Sequence, residues 1–74
     1  MNLYLLSQNV KVGYDTYESC IVCADDEDDA ANITPGSNWG ETWCHSPGQV
    51  AVEFLGVAAE GIKRGVILAS FNAG

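Results

Sequence analysis

Gly65-Val66-Ile67-Leu68-Ala69-Ser70-Phe71 is the stretch whose reading decides the fold. Four consecutive apolar residues, Val66 to Ala69, present apolar atoms on both sides of an extended chain, the pattern of a strand buried on two faces. The run is too short for an ordinary helix, and its β-branched residues and Phe71 favour extended geometry. Gly65 marks its start. Because it ends close to Gly74, the expectation is a C-terminus tied into the core of a sheet.

Working outward, three more segments read as strands. In Leu3–Ser7, Leu3 and Leu5 face one way and Tyr4 and Leu6 the other, so both faces are apolar. Tyr17–Ala24 sets Tyr17, Ser19, Ile21 and Cys23 against Glu18, Cys20, Val22 and Ala24. Gln49–Gly56 sets Val50, Val52 and Phe54 against Ala51, Glu53 and Leu55. Gln8 to Thr16, with Asn9, Gly13 and Asp15, is a loop longer than a tight hairpin. Asp25 to Ile33 reads as a short helix: an Asp caps its start, carboxylates suit the positive end of its dipole, and Ala30 and Ile33 face the sheet. Thr34-Pro35-Gly36 stops it. Ser37 to Gly48 is irregular but holds Trp39 and Trp43.

The predicted fold is α+β: one small domain spanning residues 1–74, with a four-stranded mixed sheet and one short helix in the chain order β-β-α-β-β. The helix serves as a right-handed crossover between parallel second and third strands, with antiparallel pairs at either end. One short helix cannot cover both faces of such a sheet. The uncovered face therefore meets the tryptophan loop, a second copy of the chain, or both, and a homo-oligomer, dimer or higher, is expected.

Composition narrows the function. Seventy-four residues sit near the lower limit for a self-sufficient core. No run approaches the roughly 18 apolar residues of a membrane span, and Met1 to Gln8 lacks the basic start and long apolar stretch of a signal peptide. A cytosolic protein is expected, and three cysteines with no evident pairing suit a reducing compartment. The net charge of −7, from ten acids and three bases, argues against direct binding of nucleic acid. It suits solubility, or docking on a basic protein surface.

No catalytic constellation emerges. Cys20 and Cys23 have zinc and redox spacing, and Cys44-His45 would complete four ligands, but residues three apart on a strand project from opposite faces. Cysteine packed as a small hydrophobe is the ordinary alternative. Cys44 and His45, being adjacent, do not make a nucleophile and base, and neither a nucleophile elbow nor a phosphate-cradling glycine loop is present. The expectation is a non-enzyme with no cofactor and no metal.

The loop aromatics Tyr14, Tyr17, Trp39 and Trp43 offer flat apolar area suited to stacking on a nucleobase or to a protein hot spot, with Gln8, Asp15, Thr16 and Asn72 adding polar contacts. The competing reading has Trp39 and Trp43 acting as a lid on the sheet. The acidic run Asp26, Glu27, Asp28 and Asp29 (with Asp25 before it) is the candidate surface for a protein partner. Its bland reading is a favourable helix start on a solvated face.

Leu5-Leu6-Ser7-Gln8, Gly13-Tyr14-Asp15-Thr16-Tyr17 and Ala69-Ser70-Phe71-Asn72-Ala73-Gly74 together resemble a family of small bacteriophage and prophage proteins, over most of the chain. The resemblance implies an accessory protein made in the cytoplasm of a host bacterium, a class whose members often blunt host defences. Three expectations follow. The first is a non-catalytic sponge that sequesters a nucleotide-derived host immune signal in an oligomer, its aromatics on the base and Lys63 or Arg64 at phosphate. The second is an acidic inhibitor on a basic surface of a host nuclease or defence complex. The third is a structural or regulatory phage protein with no defence role.

Overall fold

The computed structural model describes residues 1–36 and 38–72, so Ala73 and Gly74 of the closing segment lie outside the described residues. Four strands, β1 (Asn2–Ser7), β2 (Thr16–Ala24), β3 (Ala51–Val57) and β4 (Gly65–Asn72), form one sheet in the order β3-β1-β2-β4. All three pairings are antiparallel. The chain order β-β-α-β-β is as expected, but the mixed sheet is not. β2 and β3 do run parallel, each being antiparallel to β1, but β1 lies between them, so the helix and tryptophan loop cross over β1 rather than joining neighbouring strands. After the helix and the tryptophan loop, the chain returns to the free edge of β1, and β4 then pairs with the free edge of β2. The hairpin of β1 and β2 thus sits at the centre with an antiparallel partner on each side, so every adjacent pair is antiparallel.

The register assigns the faces. Tyr4 lies opposite Val22 and Phe54, Leu6 opposite Cys20 and Val52, and Cys20 opposite Ala69, so these residues share one face. Leu5 lies opposite Ile21 and Glu53, and Ile21 opposite Leu68, which defines the other. Register shifts leave Glu18, Leu55 and Ile67 as extra residues. A bulge reverses the alternation beyond it. Tyr17 therefore sides with Cys20 rather than with Ser19 and Ile21, and strict alternation misplaced it.

The first face is covered. Helix α1 (Glu27–Ala31) delivers Ala30, and the chain after it delivers Ile33, Trp43 and Cys44, onto Tyr4, Leu6, Cys20, Val22 and Ala24. Trp43 is the largest fully buried side chain. The helix starts where a cap predicts. Asp26 is extended and its Oδ1 accepts from the Asp29 N–H at 2.8 Å. It ends at Ala31, before Thr34-Pro35-Gly36, with Asn32 as its C-cap. The tryptophan loop is pinned by the Gly40 N–H, which donates to the carbonyls of both Trp43 and Cys44. Gly40 has φ +86°, a conformation that favours glycine, and a Cβ there would also press on the exposed His45 ring at 2.9 Å from Nδ1.

The second face is covered only at the end where Ile62 of the β3–β4 connection lies against the fully buried Cys23; its middle has no such layer among the described residues. Helix and tryptophan loop lie on the same side, which answers the choice left open by the sequence: the loop is a lid, but on the face the helix already shares. β4 is the largest correction. Its continuous apolar run reads as two buried faces, yet it is an edge strand with Val66, Ile67, Leu68 and Phe71 exposed. The strand buried deepest is β2, whose neighbours flank it on both sides. β3 begins at Ala51 rather than Gln49 because Pro47–Gln49 closes a 3₁₀ turn.

Truncating Trp43 to Ala removes the centre of the only full cover and is expected to destabilise the domain by about 3–5 kcal/mol. Leu68→Ala, on the exposed edge strand, is expected to cost well under 1 kcal/mol in the isolated chain. Urea unfolding of the two variants checks the contrast.

Candidate functional site

The end of the sheet where β1 leaves and β2 begins gathers most of the residues singled out for ligand binding. Gln8 organises it. Its Nε2 donates to the carbonyls of Lys11 at 2.6 Å and Tyr17 at 2.8 Å, while its Oε1 accepts from the N–H groups of Val10 at 2.9 Å and Lys11 at 2.8 Å. All four hydrogen-bonding positions of the amide are thereby used on the backbone. Gln8 is buried and shapes the loop rather than offering itself to a ligand. Thr16 is also buried, its Oγ1 donating to the Gly13 carbonyl at 2.8 Å. Asp15 holds φ +58°, the left-handed region that aspartate tolerates better than most residues, and its N–H donates to the Asn72 carbonyl. Asn72 pairs with Thr16 across the β2–β4 ladder.

The product is a loop fixed from both ends that displays apolar side chains. Tyr14 is 75% exposed and Val12 65%, with Val10 beside them. An exposed tyrosine on an ordered loop is pre-paid in conformational entropy, which is how aromatic anchors gain affinity. Tyr17 is half-buried. It packs against the core beside Phe71, with ring centroids 4.8 Å apart at 56°, and its N–H donates to the Thr42 carbonyl at 2.8 Å. Trp39 is half-buried against the same core, and Trp43 is fully buried. The Trp43 Nε1 and Thr42 Oγ1 find no partner among the described residues. Of the four aromatics, then, Tyr14 stands free for a ligand, Tyr17 and Trp39 offer partial faces, and Trp43 belongs to the core.

Of the three bases, Lys11 lies in this loop and the other two lie elsewhere. Lys63 and Arg64 precede β4, whereas Thr16 and Asn72 pair at its far end, eight residues or roughly 25 Å away at about 3.3 Å per residue. One protomer therefore does not bring them to the aromatic loop. Arg64 is moreover engaged: its Nη2 donates to Asp29 Oδ1 at 2.7 Å and its Nε to the same carboxylate at 2.9 and 3.0 Å. This bidentate pair fastens the β3–β4 connection to the helix. Among the acids, Asp25, Asp26, Glu27 and Asp28 are exposed, while Asp29 is half-buried beneath Arg64. Asp29 also accepts from the Asp25 N–H at 3.0 Å. The Arg64 guanidinium, and after it that N–H, hold its carboxyl below the usual carboxylate range.

The cysteines are buried thiols. Cys20 lies under the covered face and Cys23 opposite Leu3 and Gly65 on the other side, its Sγ near the Ile62 carbonyl, so the two do not converge. Burial pushes the Cys20 thiol up to about 11, and burial likewise raises Cys44. A thiol held protonated at neutral pH is a poor nucleophile. Among the described residues no three His, Cys, Asp or Glu side chains gather as a metal site, and no helix is long and apolar enough to cross a membrane.

Two outcomes check this geometry. Gln8→Ala is expected to cost about 2 kcal/mol, since several hydrogen bonds worth roughly 1 kcal/mol each are lost while water replaces some. It should also speed amide hydrogen exchange at Val10 and Lys11. The Asp29 carboxyl, followed by NMR, is expected to titrate below the ordinary carboxylate range and to return toward it in Arg64→Gln. Because its folded value is depressed, the stability it contributes is present above the ordinary carboxylate value and is lost as pH falls through the folded one.

In comparisons with known proteins the chain matches no family model, no curated protein and no solved structure.

Proposed function

We propose that this chain is a non-catalytic phage accessory protein, acting in the host bacterial cytoplasm, that blunts host defence by holding a nucleotide-derived immune signal between copies of itself. The observation that carries the reading is the loop from Val10 to Asp15. It is ordered by Gln8, Thr16 and the Asn72 carbonyl, yet presents Tyr14 to solvent. A loop held this firmly around an unburied aromatic favours binding over turnover. Tyr14 stacks on the base, and Tyr17, Trp39 and backbone groups of Asp15 and Asn72 border the site. Phosphate needs a cationic donor, and Lys11 lies in the same loop as Tyr14. Lys63 of a second copy, related by a two-fold axis that sets the strands of the two copies antiparallel, adds another.

A second reading rests on a separate observation. Asp25 to Asp28 form an exposed acidic run on the outer side of α1, and Asp29 is already neutralised by Arg64. Such a run suits an inhibitor steered onto a basic surface of a host nuclease or defence complex. Only Glu27 and Asp28 can be reversed cleanly, because Asp26 caps the helix and Asp29 holds Arg64.

Thermal unfolding against a panel of cyclic nucleotides and ADP-ribose derivatives tests the first reading. A ligand at a hundredfold excess over its dissociation constant adds about 2.7 kcal/mol. For a domain of this size that is a rise of roughly 10 °C or more. Tyr14→Ala is expected to abolish the rise while leaving the unliganded transition unchanged. A flat panel removes this reading. Salt-sensitive capture of a basic host protein, lost in the double reversal Glu27→Lys and Asp28→Lys, would establish the second in its place.

A further inference from the structure

The open face of the sheet is the largest feature that the site above does not absorb. By register it carries Leu3, Leu5 and Ser7 from β1, Ser19, Ile21 and Cys23 from β2, Ala51, Glu53 and Gly56 from β3, and Leu68 and Ser70 from β4. Its rows differ in relief. Leu5, Ile21 and Leu68 run side by side across three strands, and the next row is small: Ala51, Ser7, Ser19 and Ser70. Leu68 stands proud, 66% exposed. It also forms one wall of a depression of about 320 Å³, which Leu5, Ser19, Ile21 and Ser70 help line. A projecting side chain and a hollow next to each other on one surface are what a two-fold contact requires, since the same patch must both insert and receive.

We infer that this face packs against the same face of a second copy, sheet on sheet, with Leu68 of each protomer seated over the serine-lined depression of the other. Three observations select a second copy over another partner. First, charge: in a chain of net charge −7, the register places one charged side chain on this face, Glu53 at the β3 border, with the exposed Glu18 at the bulge beside Ser19. The acidic run lies on the helix side, so two copies meet with their acids pointing apart, and a basic partner finds nothing here to steer it. Second, extent: four strands spaced about 4.8 Å apart and some 23 Å long give a flat projection of roughly 450 Å². Side-chain relief brings this to the lower range of specific pairs, about 600 Å² per partner. Third, continuity: the exposed apolar residues of β4 adjoin the row at Leu68, and β4 has neither charge nor proline to keep another chain away. Paired sheets about 10 Å apart leave room for interdigitated leucines and serines.

This inference specifies the oligomer on which the proposed function depends, but its test does not involve a nucleotide, so the two can fail separately. Sedimentation equilibrium of the full chain from 1 to 100 µM is compared for the parent protein, Leu68→Asp, Ser70→Arg and Ile67→Lys, with circular dichroism as the check on folding. Leu68→Asp removes the projection and Ser70→Arg fills the hollow, and both residues are exposed in the protomer. The expected result is a parent dimer, at least a tenfold weaker association for each of these two variants with unchanged spectra, and an Ile67→Lys variant that still dimerises. A parent monomer at 100 µM overturns the inference. So does a dimer disrupted by Ile67→Lys alone, which would mean strand-edge pairing, or one indifferent to both Leu68→Asp and Ser70→Arg.

Discussion

The burial of Trp43 against the centre of the sheet is the interaction on which the rest depends. A sheet of four strands needs apolar cover, and α1 contributes only Ala30 to the core. One alanine does not shield Tyr4, Leu6, Cys20 and Val22. The indole does, with Ile33 and Cys44 beside it. Placing Trp43 there explains the shape of the chain between the helix and β3: it crosses the sheet, turns at Gly40 with two carbonyls on one N–H, and leaves through the 3₁₀ turn at Pro47. It also uses up the cover. Nothing of comparable size remains for the opposite face, and the two outer strands extend past the lid even on the covered side, where Phe54, Val66 and Phe71 stay exposed.

A molecule built this way has three distinct surfaces. The helix side carries the acids, fastened by the Arg64–Asp29 pair. The open side is nearly without charge and is apolar through its middle. One end of the sheet carries a loop stiffened by a single glutamine, with Tyr14 at its tip. The acidic, the apolar and the aromatic surfaces thus fall on different parts of a very small domain. Of the three bases, Arg64 is engaged by Asp29, Lys63 lies far from the aromatic loop, and Lys11 lies within it.

The sequence decided the identity of the elements because their signals are local. Period-two apolar patterning marked the strands, and the caps and glycines marked their limits. The acidic start and Ala30 described the helix, and the opposed directions of Cys20 and Cys23 followed from strand geometry alone. The contiguity of Gln8, Thr16, Tyr17 and Asn72 was likewise legible as a group, though their roles were not. Whether a buried amide bonds the backbone or a ligand depends on what the chain places around it, and Gln8 spends itself on Lys11, Val10 and Tyr17.

Only the tertiary structure decided which strands are neighbours, which face the lid takes, and where β4 lies. A run such as Val66 to Ala69 is written alike for a strand buried inside one chain and for an edge strand that another chain covers, because a side chain responds to removal from water and not to whose atoms remove it. Bulges at Glu18, Leu55 and Ile67 then reset which residues face inward, and no local pattern announces them. Propensity and periodicity act over a few residues and determined the strands and the helix. Strand order, the one-sided lid and the exposed edge arise from competition among distant segments for a limited apolar surface, and only the folded chain resolves it.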